Sequence, residues 1–165
     1  MTAGRNAHIE RATGETKIVL DLKLDECGRG KISTGSGFLD HMLDLFQVHC
    51  GCTLDLRCDG DVEVDMHHSA EDIAICLGQA LAQALGDKKG IERYGFYLLP
   101  MDDSLARVAL DFSGRFACEF HASFASERIG IDAQIPNGQR LEHESKCAQV
   151  RKKIFRFSAK RNGDD

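Results

Sequence analysis

Two hydrophobic periods in the first half of this chain leave few folds open to it. Within Lys17–Leu24, the residues Ile18, Leu20, Leu22 and Leu24 recur at every second position, the pattern of a strand with one buried face. From about Ala70 to Leu85, the residues Ile73, Leu77, Leu81 and Leu85 recur at every fourth position, the pattern of a helix with one apolar stripe. Gly86 stands where a C-terminal cap would stop that helix. A chain that carries both periods is read as α+β.

The rest of the sequence extends this reading. Phe38–Val48 is a helix with a stripe of Leu39, Met42, Leu43 and Phe46, and Gly28 and Gly30 mark the turn before it. Leu54–Cys58 and Val62–Val64 read as short strands split by a hairpin turn at Asp59-Gly60-Asp61. Ser69 is a candidate N-cap, with Asp72 three residues on in a loose capping box. Gly95–Leu99 and Ala106–Phe112 are strands around a turn at Pro100–Asp103, with Asp102 as turn former, and Cys118–Phe124 is strand-like again after Ser113-Gly114-Arg115. Lys17–Gly30 and Arg107–His121 both read as strand, glycine, strand, which suggests a duplicated half-domain. Residues 1–89 form the first half-domain and 90–130 the start of a second, incomplete one. Residues 131–165, with a turn at Pro136-Asn137-Gly138, are an atypical basic tail, read as disordered.

Composition removes several function classes. At 165 residues the chain makes one domain or two small ones. No apolar run approaches the roughly 18 residues of a membrane span, and Met1–Asn6 has no signal core, so a cytoplasmic protein is expected. Seven cysteines without a Cys-x-x-Cys pair argue against a disulfide framework, and Cys58, Cys76 and Cys118 sit in apolar patterns as small hydrophobes. Seven bases and no acid lie between Lys146 and Arg161; setting them aside takes the net charge from −5 to −12 for the remainder. An acidic body with a short basic tail is not the footprint of a nucleic-acid-binding domain.

One stretch carries chemistry. In Asp65-Met66-His67-His68-Ser69-Ala70-Glu71-Asp72, a helix would put His67 and Glu71 on one face, able to grip one ion. His68 lies about 100° round the helix from its neighbour, so adjacent histidines suit two metals better than one. His41 follows Asp40, an acid that could orient its ring. Solvated histidines at a polar helix start are the competing reading. Histidine and carboxylate donors alone suit manganese, zinc or iron alike.

Five motifs then agree in order and spacing: Gly37-Phe38-Leu39-Asp40-His41-Met42-Leu43, Asp65-x-His67-His68-x-x-Glu71-Asp72, Gly90-Ile91-x-Arg93-Tyr94-Gly95, Pro100-Met101-Asp102 and Asp111-x-Ser113-Gly114-Arg115. Together with Arg11-x-Thr13-x-Glu15-Thr16, they resemble the imidazoleglycerol-phosphate dehydratase family from about Glu10 to Gly130. The resemblance implies a lyase of histidine biosynthesis that dehydrates imidazoleglycerol phosphate to imidazoleacetol phosphate. It also implies an α+β fold of two similar halves, each a sheet with helices on one face, and a homo-oligomer, a large cubic assembly with a dimanganese site shared between subunits. By motif, His41, His67, His68 and Glu71 are the expected metal ligands and Glu15 the acid–base group. Arg93 and Arg115 would hold the substrate phosphate, and His49 would line the pocket. Such residues suit the reaction: a carbon-bound proton needs a positioned carboxylate, and a phosphate needs fork-shaped donors. Read alone, Arg93 and Arg115 are surface arginines and Glu15 an exposed acid beside a strand start.

The resemblance stops after Ile129-Gly130. A second His-His-x-x-Glu helix is expected there and is not found in the 35 residues that follow, where His143 and Glu144 are the only candidates. The alternative expectation is a non-catalytic family member that binds metal weakly or only co-assembles.

Overall fold

The computed structural model describes residues 4–61, 66–121, 128–129, 133–134 and 154–161. The strand expected at Val62–Val64, the turn at Pro136-Asn137-Gly138 and the His143-Glu144 pair lie outside these residues. The chain divides into two units, one made of Met1–Lys89 with Arg128–Gln134, the other of Gly90–Glu127 with Ile135–Asp165.

The first unit is a sheet under two helices. Strands β1 (Asn6–Ala12), β2 (Thr16–Lys23), β3 (Ile32–Ser33) and β4 (Thr53–Gly60) pair in the order β1-β2-β4-β3, and only β3 runs parallel to its neighbour. In register, Ile9, Leu20 and Leu56 stand side by side, as do Ala7, Leu22 and Leu54. The period-two face is therefore continuous across three strands, and Ile18, Leu20, Leu22, Leu54 and Leu56 are almost wholly buried. Each such side chain contributes about 1.5–3 kcal/mol relative to exposure. Helices α1 (Gly37–Cys50) and α2 (Met66–Leu85) supply Leu43, Ile73, Cys76, Ala80 and Ala84 to the same core. A further pair, β8 (Arg128–Ile129) and β9 (Ala133–Gln134), belongs to this unit.

Several local expectations are corrected. No hairpin turn occurs at Asp59-Gly60: β4 runs on, with Gly60 opposite Thr16. Glycine is needed there because a Cβ would lie 2.2 Å from the Ser69 hydroxyl of α2. Ser69 is accordingly no N-cap; α2 begins at Met66, and Ser69 is buried against the sheet. The buried line of α2 runs through Ile73, Cys76, Ala80 and Ala84, while Leu77 and Leu81 flank it, because small residues let the helix lie close to the strands. In α1 Met42 is exposed and Gln47 is buried instead. The Gln47 amide oxygen accepts from the N–H groups of Gly30 and Leu54, which ties helix, loop and strand. Gly30 is a close-approach glycine, its missing Cβ 2.2 Å from the Leu54 carbonyl. Ser36 caps α1 by accepting from the Leu39 N–H, and Gly51 closes it at φ 63°.

The second unit repeats the wiring. Strands β5 (Tyr94–Met101), β6 (Ser104–Asp111), β7 (Cys118–His121) and β10 (Ile154–Arg161) pair in the order β5-β6-β10-β7, with β10 antiparallel to β6 and parallel to β7. This matches β1-β2-β4-β3 strand for strand, as the internal echo in the sequence suggested. The turn between β5 and β6 is Asp102-Asp103 alone, with Asp102 at φ 51° and Pro100 inside the edge strand β5. Ile154–Arg161, within the stretch 131–165, form the strand β10 between β6 and β7. Cys118 is exposed, not a core residue. Among the described residues this unit has no helix, and all eight residues of β5 are exposed. No helix among the described residues is long and apolar enough to cross a membrane.

Candidate functional site

The expected site residues of the first unit lie on α1, α2 and the turn between β1 and β2. That turn is short: the Thr13 N–H donates to the Thr16 carbonyl at 2.8 Å, leaving Gly14 and Glu15 at its tip. Glu15 reaches towards α2, its carboxylate 3.7 Å from His68 Nδ1. One position earlier, His67 Nε2 lies 3.7 Å from the Glu71 carboxylate, the i,i+4 pairing expected of one helix face. The two imidazoles are 5.8 Å apart at 61° and partly exposed, so they address different positions, as neighbours on a helix must.

His41 and His49 are not drawn into this group. Both lie exposed on α1, and His41 helps to hold the nearby Asp44 carboxyl low after the larger effects of Arg29 and Gln47. The expected orienting role of Asp40 is corrected: its carboxylate accepts from the Thr34 N–H at 2.8 Å and the Thr34 hydroxyl at 2.7 Å. It therefore fixes the loop entering α1 and not the His41 ring. Among the described residues no three His, Cys, Asp or Glu side chains come together closely enough to hold a metal ion. The donors present fit one side of an ion's coordination: His67 with Glu71 as one pair, His68 beside Glu15 as another.

In the second unit, Arg93 and Arg115 meet around Asp111. Arg93 donates from Nε at 2.7 Å and from Nη2 at 3.2 Å to the two carboxylate oxygens, and its guanidinium lies 4.9 Å from the Tyr94 ring centroid. These hydrogen bonds, with a smaller contribution from the Arg115 charge, hold the Asp111 carboxyl below the ordinary range. Arg115 is exposed in the bend at Gly114, φ 86°. A guanidinium has five N–H donors, so Asp111 leaves most of Arg93's fork available to a second anion.

The sequence offers Asp72 only as the acid of a loose capping box and a member of a motif; its partners in the structure are different. Asp72 is buried, and its carboxylate accepts from Arg11 at 2.9 and 2.7 Å, from the Thr16 hydroxyl at 2.5 Å and from the Thr13 hydroxyl at 3.4 Å. Burial would push the Asp72 carboxyl up, but the bonds from Thr16 and Arg11 outweigh it and hold it below the ordinary range. The available signal was Arg11, a charged residue on the inward face of β1, which cannot be buried without a partner.

The sequence model of the family described as imidazoleglycerol-phosphate dehydratase matches residues 34–142. The chain belongs to that family. It is 55% identical over 126 residues to the imidazoleglycerol-phosphate dehydratase of Xanthobacter autotrophicus, a match covering 76% of this chain and 64% of that one. With the enzyme of that name from Clostridium botulinum the identity is 52% over 126 residues, covering 76% and 65%. The chain thus spans about 65% of the length of such relatives. Its fold is similar to the crystal structure of imidazoleglycerol-phosphate dehydratase from Staphylococcus aureus, with a TM-score of 0.76 at 34% identity, covering 96% of this chain and 86% of that one. The Pyrococcus furiosus protein in complex with (S)-C348 matches at a TM-score of 0.72 and 27% identity, over 93% and 80%.

Proposed function

We propose that this chain is a hydro-lyase of histidine biosynthesis that dehydrates imidazoleglycerol phosphate to imidazoleacetol phosphate. The observation that carries the reading is the seating of the Glu15 carboxylate 3.7 Å from His68, beside the His67–Glu71 pair. Family membership supplies the substrate; the geometry supplies a base next to a donor set.

The reaction removes a carbon-bound hydrogen and a neighbouring hydroxyl as water, and the resulting enol becomes the ketone. Glu15 would accept the carbon-bound proton and return a proton to the leaving hydroxyl or the enol, so that atoms and charge balance. Arg93 and Arg115 would bind the phosphate dianion, Arg93 through the N–H groups that Asp111 leaves open. His49 would line the pocket. His41, His67, His68 and Glu71 are the proposed manganese ligands, with two ions per site and the remaining donors drawn from a homo-oligomer. When bound, such an ion would supply Lewis acidity at the substrate's imidazole.

The test is turnover of imidazoleglycerol phosphate by the purified chain with manganese, against excess chelator. Metal-dependent product is expected, with Glu15→Gln lowering kcat by about 10²–10⁴-fold. A soluble, folded sample with no turnover would favour the second reading, a non-catalytic family member. That reading draws on the lack of a three-donor cluster among the described residues.

A further inference from the structure

We propose that Asp72 is a positioning residue: it clamps the β1–β2 turn onto α2 and thereby sets Glu15 against His68. The inference rests on the reading of Glu15 as the acid–base group, but its geometry stands apart from any metal. Glu15 sits at the tip of an exposed turn, and its own side chain is more than half exposed. A flexible acid on such a tip has no reason to stay within reach of one histidine unless its backbone is tied down.

The ties converge on Asp72. One carboxylate oxygen takes Arg11 at the end of β1; the other takes Thr16 at the start of β2 and Thr13 at the head of the turn. The Thr13 hydroxyl in turn accepts from the N–H groups of Glu15 at 3.2 Å and Thr16 at 3.0 Å. A continuous path therefore runs from the buried carboxylate through Thr13 to the Glu15 backbone. A second tie is the Asp61 N–H, which donates to the Glu15 carbonyl at 3.2 Å. Asp72 follows Glu71 directly on α2 and precedes the core residue Ile73, so one helix carries the candidate ligands and the clamp on the base. A displacement of that turn by about 1 Å is the kind of error that costs catalysis without touching the reacting groups.

The experiment needs no metal and no turnover. In the chelated full chain, the ring nitrogens of His68 are followed by NMR, and the shift caused by Glu15→Gln is measured in four backgrounds. These are the unchanged chain, Asp72→Asn, Thr13→Val and, as a core control that leaves the Asp72 carboxylate in place, Ile73→Val. The Glu15→Gln shift is expected in the unchanged and Ile73→Val backgrounds and is lost in Asp72→Asn. Thr13→Val, which trims an exposed residue and leaves the Arg11 pair intact, keeps the test alive if Asp72→Asn does not fold, and should weaken the shift as well. A full shift in Asp72→Asn or, failing that variant, in Thr13→Val overturns the clamp while leaving the functional reading standing. No shift in the unchanged chain overturns both the clamp and Glu15's place beside His68. Should the chain turn over substrate, Asp72→Asn is further expected to lower kcat by about 10–100-fold with KM little changed.

Discussion

Leu20 in β2 and Val108 in β6 occupy corresponding places: each lies in a strand paired antiparallel on both sides, and each has apolar neighbours in register, Ile9 and Leu56 for one, Tyr97 and Phe157 for the other. Leu20 is fully buried and Val108 only half so, while next to it Tyr97 is 66% exposed. The strands are wired alike, so pairing does not account for the difference. What differs is the cover: α1 and α2 lie over the first sheet, and no described helix belongs to the second unit. Strand order can thus be specified by hairpins and register while stability depends on the layer that buries the face.

The largest test of this comparison is truncation at the two central positions. Leu20→Ala should cost about 3 kcal/mol, within the range for buried leucines, and Val108→Ala less than about 1 kcal/mol. The chain offers separate probes. Both described helices are in the first unit, and the two tyrosines of this tryptophan-free chain, Tyr94 and Tyr97, are both in β5. In urea, Leu20→Ala should move the far-ultraviolet helix transition and leave tyrosine fluorescence nearly where it was. Tyrosine signal in the unchanged chain should be lost at lower urea than helix signal. Coincident transitions that shift together would show that the second sheet is as well covered as the first.

A smaller effect is expected at paired glycine substitutions. Gly30→Ala drives a Cβ into the Leu54 backbone, which cannot give way as a side chain could, and should cost about 2 kcal/mol. Gly95, at the start of β5, has nothing within 4 Å of its missing Cβ. Gly95→Ala should be neutral or stabilise by up to about 0.5 kcal/mol through the unfolded chain. Thermal midpoints of the two variants decide the matter, and a loss at Gly95 matching that at Gly30 would mean that β5 is packed after all.

What the sequence disclosed follows the same division. The β2 face was legible because four apolar residues alternate without a break, and α2 because its period persists over several turns. Strand β1 was not, since Ala7, Ile9 and Arg11 make a thin alternation that only the partner strand and Asp72 complete. The buried line of α2 was misplaced by one position because leucines outweigh small residues in a hydrophobic pattern, whereas close packing favours Cys76, Ala80 and Ala84. Gln47 carries no signal in the sequence, and Asp72 reads there only as a capping-box acid, because a buried polar side chain is justified only by partners far along the chain, Gly30 and Leu54 for one, Arg11 and Thr16 for the other. The site motif was legible as residue types at helical spacing. The meeting of Glu15 with His68 was not, because more than fifty residues separate them.

The last expectation sets the two buttressed aspartates against each other in acid, with excess chelator present. Asp72 and Asp111 both have carboxyls held below the ordinary value, about 3.9. A carboxyl depressed by folding stabilises fully above its unfolded value, and that contribution is lost as pH falls through the folded one. Helix signal should therefore weaken from about pH 4 downwards, and Asp72→Asn should lower stability at neutral pH while flattening this slope. Asp111 is held chiefly by its hydrogen bonds to Arg93, whose side chain is about half exposed, so that salt screens the pair. The acid response of tyrosine fluorescence should accordingly shrink in high salt, whereas that of the helix signal, set by a buried carboxylate, should persist. An acid slope of the helix signal that survives Asp72→Asn would assign the linkage to another carboxylate of the first unit.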